Sequence, residues 1–286
     1  MLAFAGNSLL CRMALKLTTL DAASFTSVRL VSGALALWWL VLLRGGKPTK
    51  QAAGGITVTR SAHGNWGSAF ALFAYAALFS YAYVGMTTAT GALLLFGAVQ
   101  ASMIGWGLAH GERLRTVQTI GFITALAGLA ALMLPGFATP QPGDALAMLG
   151  AGVAWGAYSL RGKNVTPGPA ADPLATTCGN FVRTVPMAVA LSLASVALTS
   201  SVHLDLMGVA LAVASGAVTS GLGYALWYRA LPALQATHAA TVQLSVPVIA
   251  AVGGVGLLGE SFSWQLLVSS VAILGGISLV LRKPSP

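Results

Sequence analysis

Apolar runs of about 20 residues, the length needed to cross a bilayer, follow one another along nearly the whole of this 286-residue chain. Only 15 basic and 6 acidic side chains are present, 7% of the residues, against about 25% in an ordinary soluble domain. A water-soluble fold of this size could not cover its surface with so few charges. Disorder is excluded as well, because its signature is low hydrophobicity and the mean hydropathy here is +0.81. The runs do not alternate as barrel strands do. The expected fold class is therefore an all-α integral membrane protein. Ten segments qualify as transmembrane helices: 1–18, 21–43, 65–86, 88–109, 115–134, 144–161, 173–199, 205–229, 233–258 and 262–281. Charges and turn residues separate them, as at Asp21, Gly111-Glu112-Arg113, Pro135 to Gly143, Arg161 to Pro173, His203 to Asp205 and Gly259-Glu260.

Lys and Arg in short loops set orientation. With a cytoplasmic N-terminus, the inner loops carry Arg44, Lys47, Lys50, Arg60, Arg113, Arg115, Arg161, Lys163, Arg229, Arg282 and Lys283, and the outer ends only Arg12 and Lys16. This bias puts both termini in the cytoplasm, in an inner (plasma) membrane of bacterial type. The first segment is not expected to be a cleaved signal, because its basic residues follow the apolar stretch. A net charge of +9 would point to nucleic acid in a soluble protein. Spread along one membrane face it is a topology signal, and no nucleic-acid partner is expected. Cys11 and Cys178 lie in apolar runs and are too few for a disulfide framework or a zinc site. No metal or cofactor is expected.

The chain repeats itself. Leu108 to Leu114 closes segment four and opens segment five around Gly111-Glu112, and Leu257 to Phe262 does the same for segments nine and ten around Gly259-Glu260, at an offset of 148. The same offset pairs Leu126 with Leu274 and Gly128 with Gly276, and nearby registers pair Arg29 with Arg183 and Tyr81 with Tyr224. The reading is two five-helix halves, 1–134 and 144–286. Five is odd, so the second half enters the membrane from the opposite side. Inverted repeats belong to transporters that hold their substrate near the midplane.

Ten segments in two inverted halves, Arg29-Leu30-Val31-Ser32-Gly33 in the second segment, and Gly-Glu turns at 111–112 and 259–260 together resemble the drug/metabolite transporter superfamily, in particular its EamA-type exporters, which include aromatic amino acid exporters. The resemblance covers essentially the whole chain. It implies a cavity lined by helices 1, 3, 4, 6, 8 and 9, with helices 5 and 10 peripheral, and export of small metabolites. One departure is Pro247, whose matching place in segment four is held by Val99.

The residues themselves nominate a cavity. Asn7 and Ser8 are the polar side chains of segment one, Tyr75, Tyr81, Trp155, Tyr158 and Tyr224 combine an apolar body with a polar handle, and Gln100 lies mid-segment beside Phe96 and Met103. Gln243 is four residues before Pro247, which cannot donate to its carbonyl. Segment nine is thus expected to kink near mid-depth beside a polar side chain. His238 either titrates near neutral pH or packs as a neutral residue. Arg29 and Arg183 lie about one-third into their spans, where an arginine packs against carbonyls or meets an anionic substrate group. Glu112 and Glu260 each follow a tight turn, where a carboxylate meets the free N–H groups of a helix start. Arg29, Arg183, Pro247, Glu112 and Glu260 are read as structural or gating residues. All six acids fall at segment ends, which argues against a carboxylate-driven proton pump.

The expected function is a secondary transporter of small amphipathic solutes such as amino acids, working as a monomer or alternatively a dimer, with the lipid bilayer and a small-molecule substrate as its partners. The alternatives are a multidrug or other metabolite permease of the same fold, or, from other classes, an intramembrane enzyme or a non-transporting sensor. An enzyme is disfavoured: the chain has no H-E-x-x-H and no G-x-S-x-G, and its histidines are scattered at 63, 110, 203 and 238. Facilitated flow fits the missing carboxylates, and proton exchange through His238 is the competing reading. The pH profile of transport separates the two. It is expected to be unchanged in His238→Gln, whereas a flattened profile would make His238 the coupling group.

Overall fold

The computed structural model describes residues 1–44, 64–111, 113–134, 140–163, 172–199, 203–230 and 243–281. Helix starts are set by side chains that take up backbone N–H groups left without an internal partner. Asp21 accepts from Ser24 N at 2.8 Å, Asn65 from Ser68 N at 2.8 Å, Thr87 from Thr90 N at 3.3 Å and Asp205 from Gly208 N at 2.9 Å. Asp172 accepts from Leu174 N and Ala175 N. The acids that mark segment ends in the sequence are thus mostly caps. The resulting helices are α1 (Leu2–Leu17), α2 (Ala22–Leu43), α3 (Trp66–Gly85), α4 (Thr88–Ala109), α5 (Thr116–Leu132), α6 (Pro142–Lys163), α7 (Pro173–Thr199), α8 (Leu206–Val213), α9 (Gly223–Ala230), α10 (Ser245–Leu258) and α11 (Trp264–Leu281). A π-helical stretch, Ala214–Leu222, joins α8 to α9. No strand occurs among the described residues.

Among the described residues, six spans are long and apolar enough to cross a membrane, one of them running unbroken from α8 through the π-helical stretch as Leu206–Trp227, while Thr116–Leu132 and Ser245–Leu258 are shorter apolar helices. Trp38, Trp39, Trp66 and Trp264 are all exposed, as expected of side chains that meet lipid or its headgroups.

Regular helix is interrupted in two places, and only one interruption was expected. The π-helical stretch, Ala-Ser-Gly-Ala-Val-Thr-Ser-Gly-Leu, is built of small residues. It lies tight against α2: a Cβ at Gly216 would run into the carbonyl of Arg29 and the hydroxyl of Ser32. Small faces allow this backbone approach in lipid, where packing rather than water exclusion holds helices together. The other departure is at the ninth segment. A kink was expected at Pro247, but the helix instead starts afresh there. Leu244 is a turn residue at the N-cap of α10, and Pro247 falls in the first turn, where its missing N–H leaves no bond unmade. Residues 231–242 lie outside the described residues.

α5 and α11 form a closely packed antiparallel pair. Gln118, at the start of α5, donates to Val280 O at the end of α11 (3.0 Å). Gln265, at the start of α11, donates to Ala131 O (3.1 Å) and Leu134 O (2.8 Å) at the end of α5. Between these ends Gly121 and Gly276 face one another. A Cβ on either would lie 2.5 Å from the other's carbonyl oxygen. Gly121→Leu is therefore expected to force the pair apart and destabilise the protein by about 1–3 kcal/mol, measurable as a lowered melting temperature of the detergent-solubilised protein, whereas the same change at Gly275, where a Cβ meets open space, is expected to have little effect.

Candidate functional site

The site is built around one buried cation. Arg29, on α2, is 2% exposed. Its Nε donates to Ser220 Oγ on the π-helical stretch (3.3 Å) and its Nη2 to the Tyr75 hydroxyl on α3 (3.1 Å). The guanidinium carbon also lies 5.2 Å from the ring centre of Tyr75 and 5.0 Å from that of Phe79, within the range of a cation–π contact. Nη1 is buried without a hydrogen-bond partner. Asn7, on α1, closes the cluster. Its Nδ2 donates to the Tyr75 hydroxyl (3.2 Å) and its Oδ1 accepts from Ser215 Oγ (2.6 Å) and Thr219 Oγ1 (3.4 Å). Four helical elements are thereby joined at one polar point.

Beside this hub lies an aromatic cluster centred on Trp155 of α6. Its ring centre is 4.9 Å from that of Tyr75, 5.1 Å from Tyr224, 5.5 Å from Tyr158 and 6.1 Å from Phe4. Phe4, Ser8, Tyr75, Phe79, Leu95, Phe96 and Trp155 line a small pocket, open on one side, with a cavity volume of about 10 Å³ in this conformation. The walls come from α1, α3, α4 and α6. Small residues bring α6 this close: a Cβ at Gly152 would meet Ala98 and the Leu95 carbonyl of α4, and one at Gly156 would meet Ser102.

Of the residues nominated from sequence, Asn7, Ser8, Tyr75, Trp155, Tyr158 and Tyr224 converge here, all buried. Gln100 is buried on α4, one helical turn beyond Phe96. Tyr81 does not join them. It is 43% exposed, because Tyr75, Phe79, Ala82 and Tyr83 define the inward face of α3 and Tyr81 points to the opposite side of the helix. The pairing of Tyr81 with Tyr224 in sequence thus does not carry over to burial. Nor does that of Arg29 with Arg183, which is half-buried and donates to Gly179 O on its own helix at 2.9 Å. Gln243 is half-buried just before the turn at Leu244. Glu112 and His238 lie outside the described residues.

Glu260 has a partner that sequence did not suggest. Its carboxylate caps the start of α4, not of the α11 it precedes. It accepts from Thr88 N at 3.0 and 2.8 Å and from Thr88 Oγ1 at 3.2 Å. Gly259 makes this reach possible: its left-handed φ of 60° turns the chain back at the end of α10, with Glu260 N donating to Gly254 O. Arg12 of α1 lies against the same carboxylate, Nε to Oε1 3.5 Å, and its Nη1 donates to Tyr83 O and Val84 O at the end of α3. Lys16 donates to Leu258 O. Four chain segments are therefore tied together at one end of the bundle, one helical turn beyond Ser8. At the other end Arg161 donates to Asn65 Oδ1 and Ser68 Oγ, Asn180 Oδ1 accepts from Asn65 N, and Asn180 Nδ2 donates to Tyr158. Phe4, Arg12, Thr88, Asn180, Ser215 and Ser220 were all missed, since each acts only through a partner far away in the chain. The nearest sequence signal was the density of small polar residues at 214–222. No group of three metal-ligating side chains occurs among the described residues.

Residues 142–282 match the model of the EamA-like transporter family. An uncharacterized protein of Pseudomonas aeruginosa is 52% identical over 281 residues, covering 98% of this chain and 91% of its own length. A crystal structure of a protein 18% identical superposes with a TM-score of 0.64 over 98% of this chain and 95% of its own. This protein belongs to the EamA-like transporter family. It is thereby a member of the drug/metabolite transporter superfamily and a multi-pass membrane transporter, with a small-molecule substrate and the bilayer as its surroundings. The lengthwise match of the solved structure concerns the fold alone.

In this EamA-like protein, removing Glu260 leaves the Thr88 N–H at the start of α4 without its carboxylate acceptor and the half-buried Arg12 without its counter-charge. Glu260→Ala is expected to destabilise by about 3 kcal/mol or more, read by unfolding in mixed micelles. Adding Arg12→Ala is expected to cost much less than the sum of the two, because the second change removes the charge left stranded by the first.

Proposed function

We propose that the protein is a secondary transporter of the inner membrane that exports small amphipathic metabolites, amino acids with aromatic side chains among them, by alternating access between two inverted halves, 1–134 and 144–286. The observation that carries this reading is the pocket itself: an aromatic enclosure around Trp155, at the junction of α1, α3, α4 and α6, with a polar hub on one wall. Mostly apolar walls with a few fixed polar groups are what an amphipathic solute needs.

Support for the inverted halves comes from reciprocity. Gln118 and Gln265 each bond the far end of the other's helix, Gly121 and Gly276 each receive the other's carbonyl, and the two glycines of positive φ among the described residues are Gly111 and Gly259. A two-fold relation between halves produces such exchange, and it allows one half to rock against the other around a central site. In this reading Arg12, Glu260 and Thr88 hold the external side shut, and the inner side carries Arg161, Asn65 and Asn180. Both termini are cytoplasmic and the protein works as a monomer. No carboxylate occurs among the described residues that line the pocket, which favours flow down a gradient over a carboxylate-based proton pump.

Purified protein in liposomes, tested with radiolabelled amino acids and a wider panel of metabolites and drugs, is expected to give saturable flux competed best by aromatic amino acids. Trp155→Ala is expected to raise the half-saturation concentration about 3- to 10-fold, the worth of one aromatic contact. Flux best competed by bulky cationic drugs would replace this reading with a multidrug permease, and no flux with any solute would end it.

A further inference from the structure

Arg29 poses a question that packing does not answer. A cation buried in a membrane protein is expensive unless it is paired or faces water. Among the described residues the ion pairs are Arg12 with Glu260 and Arg44 with Asp172, and Arg29 belongs to neither. Two neutral hydroxyls and two ring faces are its partners, and Nη1 has none. The arrangement leaves the charge in place and uncompensated.

The same residues show where that charge is felt. Tyr75 and Phe79, the rings against which the guanidinium rests, are both walls of the pocket. The Tyr75 hydroxyl accepts from Arg29 Nη2 and from Asn7 Nδ2. Both are donors, so the hydroxyl's own proton is left to point elsewhere. Among the described residues no acceptor takes it. A phenol that accepts from a cation is polarised and donates more strongly. The Tyr75 ring that forms part of the pocket wall thus carries an O–H donor backed by a buried positive charge, beside aromatic and aliphatic surfaces.

We propose that the transported solute carries a carboxylate on an apolar or aromatic body, and that this carboxylate docks on the Tyr75 hydroxyl with Arg29 as its counter-charge. This rests on the transporter reading above and narrows it to a substrate class. Tyr75 makes the direct contact, and Arg29 is a positioning and charge-supplying residue behind it. Trp155, Phe4 and Phe96 enclose the apolar body.

The test uses the full chain in proteoliposomes and lipid nanodiscs, with L-phenylalanine, L-tryptophan and L-leucine, each against its carboxamide, and phenethylamine as the compound lacking the group altogether. Transport and equilibrium binding are read as the ratio of acid to amide. The wild type is expected to prefer the acids about tenfold or more, the usual worth of a charge-assisted hydrogen bond. In R29Q that preference collapses toward one, in R29K part of it returns, and in Y75F it falls severalfold while the ring stays. Size-exclusion profiles and melting temperatures establish which variants fold. If R29Q does not fold, Y75F and R29K decide. A wild type that moves amides or amines as well as acids overturns the carboxylate proposal and leaves the transporter reading standing. A folded R29Q or Y75F with an unchanged ratio does the same. A wild type that moves none of these solutes, nor any of the wider panel, overturns both.

Discussion

In a bilayer the surrounding solvent offers no hydrogen bonds, so every polar group must be satisfied by the protein or line a wet cavity. The architecture here turns on the place where that demand is greatest, the cluster of Arg29, Tyr75, Asn7, Ser215 and Ser220. Each of its bonds crosses between elements. Together they fix α1, α2, α3 and the π-helical stretch relative to one another, and leave the aromatic side of Tyr75 and Phe79 facing a pocket. The π-helical stretch contributes directly. It presents both Ser215 and Ser220 toward the hub while Gly216 lets α2 lie against it. Local departures from regular helix are often found at functional sites, and this one supplies two of the cluster's hydroxyls.

The ends of the bundle obey a related logic. Helix termini expose backbone groups that lipid cannot satisfy. Most starts are capped by the residue just before them, as Asp21 and Asp205 show. Glu260 is the exception, a cap delivered from another part of the fold. Because it also faces Arg12, which binds the end of α3, one carboxylate couples two helix termini and α1. A connection of this kind is closed in the present conformation and would have to break as a whole for α1 to part from α4.

Much of this was legible from sequence. Outside segment nine, whose residues before 243 lie outside the described residues, segment positions came within a few residues of the helices, because apolar length and capping residues are local properties. Tyr75, Trp155, Tyr158, Tyr224, Asn7 and Ser8, nominated as cavity residues, are all buried, since polar and aromatic side chains at mid-depth have few other places to go. Tyr81 was not distinguishable from them. A helix that is apolar all round has no periodicity to reveal its inward face, and only the packing of Tyr75 and Phe79 against Arg29 identifies it. At Pro247 a kink was expected, and the structure instead has a helix start at Leu244, since a proline marks where a helix can be interrupted but not which residue will cap the next one.

The sequence by itself determined that this chain is a membrane protein of apolar helices, where most of those helices begin, and that two stretches 148 residues apart share a turn. These are consequences of residue type and spacing along the chain. The tertiary structure decided which of two matched residues matters. Arg29 is buried in the hub while Arg183 bonds its own helix, and Tyr224 is 2% exposed while Tyr81 faces outward. It also decided that Glu260 serves α4 across 172 residues. The physical reason is the same in each case. Burial, charge compensation and capping by a distant side chain are pairwise properties, set by the partner a residue meets, and the identity of that partner is fixed only when the helices pack.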